Sequence, residues 1–205
     1  MDKTAHSLFL SGGFSMLRMK LRFCLVLALA FFFSSPASAI EKFRQPDLIS
    51  FAAGYKDFNK DEPRREAADF RLEYRWGVSL LPQITSYFKS WDPYVQFHPF
   101  VGGEVTTVGQ LYGLGGLAMD ILIGNHGIIT WSEGVGLFYG GDAFPMGSFV
   151  EFRSQVEVGW RFTNEMRLTA AISHISNAKI TNRNPGAEIV SVYFHMPTSF
   201  LCGKK

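Results

Sequence analysis

Three side chains late in the sequence are of the types that together hydrolyse esters. His174 and Ser176 are two residues apart, and Glu188 follows after a polar segment. A serine hydroxyl is a weak nucleophile until a base takes its proton, and a carboxylate can fix the tautomer of that base and stabilise its charged form. The residue types therefore predict Ser176 as nucleophile, His174 as base and Glu188 as orienting acid. The alternative is that His174 and Ser176 are interfacial polar residues without a chemical role.

Strand periodicity is what would bring these side chains together. Residues two apart on a strand face the same side, about 6.6 to 6.8 Å from each other. Leu168 and Ile172 share the parity of His174 and Ser176, so the pair continues an apolar face. Glu188 starts the next segment at an apolar-face position as well. Neighbouring strands would then present all three groups on one surface.

The alternation of apolar and polar residues predicts a series of such strands along the chain. Apolar and polar residues alternate plainly from Phe70 to Trp76 and over most of Val150 to Phe162. Gly124–Gly127 and Thr163–Asn164 are tight connections, whereas Asn59–Ala67 and Gly140–Ser148 are longer. Eight strands are predicted, at Leu48–Phe58, Ala68–Val78, Tyr94–Val105, Leu111–Ile123, Ile128–Tyr139, Phe149–Phe162, Glu165–Ser176 and Glu188–Met196.

These strands favour an all-β fold, an eight-stranded antiparallel transmembrane β-barrel of the outer membrane. In a small barrel the apolar side chains face lipid and the charged ones form paired networks inside. With both termini in the periplasm, the connection between strands seven and eight is external, so the three residues face the outer leaflet of a Gram-negative cell, which is lipopolysaccharide. A soluble periplasmic barrel is the alternative. The segment Ser79–Pro93 is too long for a simple turn and is predicted to extend its neighbouring strands or to form a small amphipathic element.

The N-terminus predicts export. Positive residues precede an apolar run from Phe23 to Phe33, and small residues ending at Ala39 form a cleavage site. Residues 1–39 are therefore predicted to be a signal peptide, with the true start at Met16 as an option, and residues 40–205 a single barrel domain. Cleavage would remove Cys24 and leave Cys202 as the one cysteine, which excludes an intramolecular disulfide.

Composition excludes other classes of function. The formal net charge of +2 gives no support for nucleic-acid binding. No spacing of histidines and carboxylates argues for a metal site, and the chemistry above needs no cofactor.

His98 is predicted to be structural, His126 to be solvated in its turn and His195 to face the barrel interior. A second group, Glu157, Arg161 and Arg167, is predicted to form an interior ion network.

The segment before Glu188 could supply oxyanion stabilisation. Pro185 restricts the backbone, and Gly186 permits a tight conformation with an exposed N–H. The Asn184 side chain and the Gly186 N–H could donate to a developing negative charge. The alternative is that Asn184–Gly186 is a simple turn.

The run HISNA from His174, followed by NPGAE ending at Glu188, resembles the lipid A 3-O-deacylase family of PagL-like outer-membrane acyl hydrolases. The resemblance covers about twenty residues and implies an eight-stranded barrel that removes the ester-linked hydroxyacyl chain at the 3 position of lipid A. It implies a Ser176, His174 and Glu188 triad, Asn184 and Gly186 as oxyanion stabilisers and Asn177 as a supporting residue.

The sequence thus predicts a serine esterase of the outer membrane whose partner is lipid A in the outer leaflet, with a homodimer also allowed. Two other functions remain open. One is a non-catalytic small barrel used for adhesion or structural support. The other is the same triad acting on glycerophospholipid esters.

Overall fold

The computed structural model describes residues 45–58, 66–80, 94–140 and 146–201. The predicted signal peptide, Cys202 and most of Ser79–Pro93 lie outside the described residues. The described chain forms eight strands and one short 3-10 helix at Thr198–Phe200. The strands are β1 Leu48–Lys56, β2 Ala67–Arg75, β3 Val95–Thr106, β4 Leu111–Ile123, β5 Gly127–Tyr139, β6 Val150–Arg161, β7 Arg167–Ser176 and β8 Ala187–Pro197.

The strands close into a single antiparallel barrel in sequence order, with β1 paired to both β2 and β8. All the predicted strands are confirmed, and the differences lie at their ends. β1 ends at Lys56 rather than Phe58, because Asp57 has a φ of 56°, a left-handed conformation that does not continue a strand. We call the end of the barrel where odd-numbered strands finish the upper rim; the connection between β7 and β8 lies there.

The two faces of the sheet are reversed relative to a soluble barrel, as predicted. Outward positions carry large apolar side chains that are extensively exposed, such as Leu72, Trp131 and Val192. An apolar exterior around a polar interior is the pattern of a barrel that sits in lipid. The fold is therefore that of an outer-membrane barrel. Within the described residues, no helix has the length and hydropathy needed to cross a membrane.

Charged side chains fill much of the interior, and several of them form ion pairs. Arg71 contacts Asp69 at 2.6 Å and Glu104 at 3.0 Å, and Arg153 contacts Glu73 at 2.7 Å. All five side chains are almost completely buried. A charge removed from water is tolerated only with such partners, so these pairs fix which side chains can occupy the interior.

The predicted interior network is confirmed for Glu157 and Arg167, which Arg75 and Asp120 connect, and is wrong for Arg161. Glu157 pairs with Arg75 at 3.1 Å, and Arg167 pairs with Asp120 at 2.6 Å. Arg161 is the last residue of β6, partly exposed, and pairs with a glutamate of the following turn. The strand end places Arg161 beside water, whereas the other two point into the interior and find partners across the barrel.

An apolar cluster occupies the interior toward the upper rim. Its members are Phe100, Tyr112, Leu114, Ala118, Phe138, Met146, Ile175, Ala187 and Ile189. Glycines on β4 and β5 make room for it: a Cβ on Gly116 would lie 2.8 Å from the Phe100 ring. This packing explains why β4 and β5 alternate poorly in sequence. Behind β7 and β8 the interior is filled by side chains, and this packing supports the backbone of the outward face.

Candidate active site

His174 and Glu188 form the most developed part of the site. They are directly opposite residues on β7 and β8, both facing outward. His174 Nδ1 lies 3.1 Å from Glu188 Oε1, and the side chains are 51% and 26% exposed. A proton on Nδ1 donates to the carboxylate and leaves Nε2 as an acceptor. The outward, adjacent positions agree with the strand parity in the sequence, and in such a contact a carboxylate can fix the tautomer and orientation of an imidazole.

Gly186 packs against the other edge of the imidazole. A Cβ on Gly186 would lie 2.9 Å from His174 Cε1 and 3.6 Å from Nε2. The residue also has a φ of +66°, a conformation that glycine adopts without the steric cost met by other residues. Both observations explain why glycine stands at this position. The Cε1–Nε2 edge of the ring thus faces the loop before β8.

Ser176 lies at the end of β7, close to that edge. The last ladder pair is Ile175 with Ala187, so Ser176 and Gly186 are the next residues beyond it on the two chains. Within the described residues, no hydrogen bond joins the Ser176 hydroxyl to His174. A spacing of about 6.6 to 6.8 Å along the strand accounts for this gap, and such contacts often tighten only when substrate is bound. The structure places the three residues on one surface but does not join the serine to the base.

Asn184 is oriented by the backbone of the same loop. Its Oδ1 accepts a hydrogen bond from the Asn177 N–H at 3.1 Å. Because a backbone N–H can only donate, the carboxamide oxygen must face Asn177, and the NH2 group is the other end of the side chain. A donor is therefore held at the loop beside Gly186.

Asn177 is completely buried and holds the loop together. Its Nδ2 donates to the Arg183 carbonyl at 2.8 Å, to Thr181 Oγ1 at 3.0 Å and to the Met146 carbonyl at 3.3 Å. These bonds tie the loop between β7 and β8 to the one between β5 and β6. Asn177 thus holds the loop between β7 and β8 in place, and its supporting role in the reaction stays a prediction.

Two polar residues beside the site were missed by the sequence analysis. Ser154 on β6 is directly opposite His174, and Glu133 on β5 is directly opposite Ser154. The Ser154 hydroxyl donates to Glu133 Oε2 at 2.7 Å. The available signal was polarity at an outward position, since Ser154 interrupts the otherwise apolar series from Val150 to Phe162.

The other histidines lie away from this surface. His98 and His195 are buried inside the barrel, where His98 Nδ1 bonds the Trp76 carbonyl at 3.1 Å and His195 Nε2 lies 3.1 Å from Glu157. His126 was predicted to be solvated in its turn, but its ring stacks on Trp160 with centroids 4.8 Å apart. In the described ranges, no group of three or more His, Cys, Asp or Glu residues could hold a metal ion.

Comparisons with solved structures identify proteins of similar fold. Among solved structures, the chain is similar to the crystal structure of the outer membrane enzyme PagL, with a TM-score of 0.54 and 18% identity over 73% of this chain and 99% of that one. It is also similar to a de novo designed transmembrane β-barrel, with a TM-score of 0.48 and 11% identity over 74% of this chain and 97% of that one. Neisserial surface protein A (NspA) gives a TM-score of 0.45 and 10% identity over 74% of this chain and 95% of that one.

A search of curated proteins gives no match. The homodimer that the sequence left open is not supported by the family model or by the PagL structure. The model of the family described as Lipid A 3-O-deacylase (PagL) matches residues 49–197, which is more than half of the chain and includes every residue of the site. The protein is therefore an outer-membrane barrel that belongs to the lipid A 3-O-deacylase (PagL) family.

Proposed function

We propose that this protein hydrolyses the ester at the 3 position of lipid A with Ser176 as nucleophile, His174 as general base and Glu188 as orienting acid. The observation that carries the proposal is the His174–Glu188 contact of 3.1 Å on the outward face of the barrel. An outward imidazole paired with a carboxylate has no evident structural use on a largely apolar face of the barrel. Membership of a family described as lipid A 3-O-deacylases supports the substrate.

The chemistry follows two steps. Ser176 Oγ attacks the ester carbonyl carbon while its proton passes to His174 Nε2. Collapse of the tetrahedral intermediate breaks the bond to the sugar oxygen, which takes the proton from His174. Water then attacks the acyl-enzyme with His174 again as base, which releases the fatty acid and restores Ser176. Glu188 stabilises the imidazolium in both steps.

The loop supplies the donors for the oxyanion in this proposal. The Asn184 NH2 group is held at the loop by the bond from Asn177 to its oxygen, and the Gly186 backbone lies against the catalytic edge of His174. Each donor of this kind contributes roughly 100- to 1000-fold to the turnover rate when it meets the developing charge. Removal of the Asn184 amide is therefore expected to slow the reaction without abolishing it.

Ser154 is the competing nucleophile, because it faces His174 directly across β6 and β7. Two observations favour Ser176. The Ser154 hydroxyl already donates to Glu133, and the Cε1–Nε2 edge of His174 faces Gly186 at the loop, next to Ser176. The base is thus turned toward the end of β7.

The position of the site favours lipopolysaccharide over glycerophospholipid. The triad lies near the upper rim, and with both termini in the periplasm this rim faces the cell exterior, where the leaflet is lipopolysaccharide. Export of the barrel to that membrane would use residues 1–39 as a cleaved signal peptide.

The test is hydrolysis by the purified full-length protein in detergent, with lipopolysaccharide and phosphatidylethanolamine as separate substrates. Mass spectrometry should show loss of one ester-linked acyl chain from lipid A and little change in the phospholipid. Ser176→Ala should abolish this loss. Ser191→Ala is the matched control, since Ser191 faces inward on β8 with a hydroxyl that has no partner within the described residues. Turnover by Ser176→Ala at the wild-type rate would refute the proposal.

A further inference from the structure

The outward face of the barrel is almost entirely apolar, and its polar exceptions are grouped. Apart from tyrosine hydroxyls and the tryptophan indoles, the outward positions of the described strands carry aliphatic, aromatic, Gly, Ala or Pro residues, with the exceptions of Glu133, Ser154, His174, Ser176 and Glu188. The triad accounts for three of them. Glu133 and Ser154 have no part in that chemistry, and a carboxylate facing lipid is costly unless it has a use.

Glu133 is in register with the triad. Glu133 pairs with Ser154, Ser154 with His174, and His174 with Glu188, each directly opposite its neighbour. These residues form one continuous row across four strands. With strands about 4.8 Å apart, Glu133 is about 10 Å from His174 along the row.

The row runs obliquely to the membrane. Strands in such barrels tilt by about 35 to 45°, so two strand spacings correspond to about 6 Å of depth. β5 continues from Glu133 as far as Tyr139 before the upper rim, whereas β7 ends at Ser176, just beyond His174. Glu133 therefore lies deeper in the membrane than the triad, on the side toward which an acyl chain extends from the scissile ester.

The carboxylate of Glu133 is held by two hydrogen bonds and can accept a further one. Trp131 Nε1 donates to Oε1 at 2.6 Å, and Ser154 donates to Oε2 at 2.7 Å. A carboxylate offers about four acceptor positions, so two donors leave room for another. Both Glu133 and Trp131 are exposed on the outward face. The site is thus a fixed acceptor open to the lipid side.

From this placement we propose that Glu133, positioned by Trp131 and Ser154, binds a hydroxyl group on the acyl chain of the substrate, close to the ester. This inference rests on the proposed function. A group that meets Glu133 must be a hydrogen-bond donor carried below the ester carbonyl. A plain hydrocarbon chain has none, whereas a chain hydroxylated a few atoms from the carbonyl has one within reach. Glu133 would then select hydroxylated over unsubstituted chains.

The test compares two 3-O-acyl glucosamine esters, one with a 3-hydroxytetradecanoyl chain and one with a tetradecanoyl chain, on the purified full-length protein. Wild type should prefer the hydroxylated ester. Glu133→Leu should lower kcat/KM for that ester by about 10- to 100-fold, the contribution of one hydrogen bond to a charged acceptor, and should leave the unsubstituted ester unchanged or improved. Glu133→Leu places an apolar group in lipid, so the barrel should assemble at least as well. Val135→Leu, the next outward residue on β5, is the matched control.

The outcomes separate this inference from the function on which it rests. Wild type that hydrolyses neither ester would refute the proposed function, and the inference with it. Wild type that hydrolyses both, with a ratio of kcat/KM values that Glu133→Leu does not change, would refute the inference alone. An equal fall for both esters would also overturn it, because it would mean that Glu133 acts through His174 rather than on the chain.

Discussion

Gly186→Ala tests whether the packing of the loop against His174 positions the base. An alanine Cβ would lie 2.9 Å from His174 Cε1, and ordinary contact between carbon atoms is about 3.5 to 4.0 Å. The ring must therefore move by about 0.6 to 1 Å. The Nδ1···Oε1 distance to Glu188 is 3.1 Å, so a shift of that size distorts or breaks the bond.

The expected loss of activity is about 100-fold in kcat/KM, since a misplacement of about 1 Å in a catalytic group has a cost of that order. This corresponds to about 2.7 kcal/mol of transition-state stabilisation. The backbone adds a separate effect, because an alanine at a φ of +66° costs about 1 to 2 kcal/mol of folding stability. The assay is release of the acyl chain from lipopolysaccharide by purified protein, with heat-modifiable gel migration as the measure of folding.

Gly124→Ala separates the two effects. Gly124 has a φ of +59°, and a Cβ there would meet nothing within 4 Å. This variant should show a similar loss of stability with wild-type turnover. Equal activities of Gly186→Ala and Gly124→Ala would refute the reasoning, because backbone strain alone would then explain whatever change is seen.

Three further predictions follow from the contacts of the site and the interior. Glu188→Gln should lower kcat by at least about 100-fold with the barrel intact, because an amide no longer stabilises the imidazolium; near-wild-type turnover would remove Glu188 from the mechanism. Asn177→Asp should reduce activity more than Asn177→Ala, since the second carboxylate oxygen of the aspartate would face the Arg183 and Met146 carbonyls in place of a donor. Limited proteolysis should likewise cleave the loop faster in Asn177→Asp than in Asn177→Ala. Higher activity and slower cleavage in Asn177→Asp would contradict the assigned contacts. Asp120→Ala should destabilise the barrel by about 3 to 5 kcal/mol, because it leaves Arg167 and Arg75 buried without their shared partner. Urea unfolding in detergent measures the loss, with Ser191→Ala as the control. Equal stability of the two variants would count against the interior network.

The fold could be predicted because strand alternation is a local property of the sequence. Val150 to Phe162 and Phe70 to Trp76 each show which residues face lipid, and a barrel needs only that pattern repeated. Strand ends could not be predicted to the residue, because they depend on single residues such as Asp57, whose left-handed backbone is not marked by any periodicity.

Strand parity in the sequence could predict which candidate site residues share the outward face. His174 and Glu188 fall on outward positions of adjacent strands, and their register makes them direct neighbours. Glu133 could not be related to them from sequence alone, because the row that joins it to His174 depends on the registers of β5 with β6 and of β6 with β7. Parity likewise placed Glu157 and Arg167 inside, but their partners Arg75 and Asp120 lie across the barrel, and only closure of the sheet brings them together.

The most direct test of the central claim is to locate the nucleophile by covalent labelling. Purified wild-type protein would be treated with a long-chain alkyl fluorophosphonate, which reacts with activated serines, and the modified residue identified by peptide mass spectrometry. We expect the label on Ser176, strongly reduced labelling in Glu188→Gln and none in Ser176→Ala. Label on Ser154, or undiminished labelling of Ser176→Ala, would contradict the assignment of Ser176 as the residue that attacks the ester.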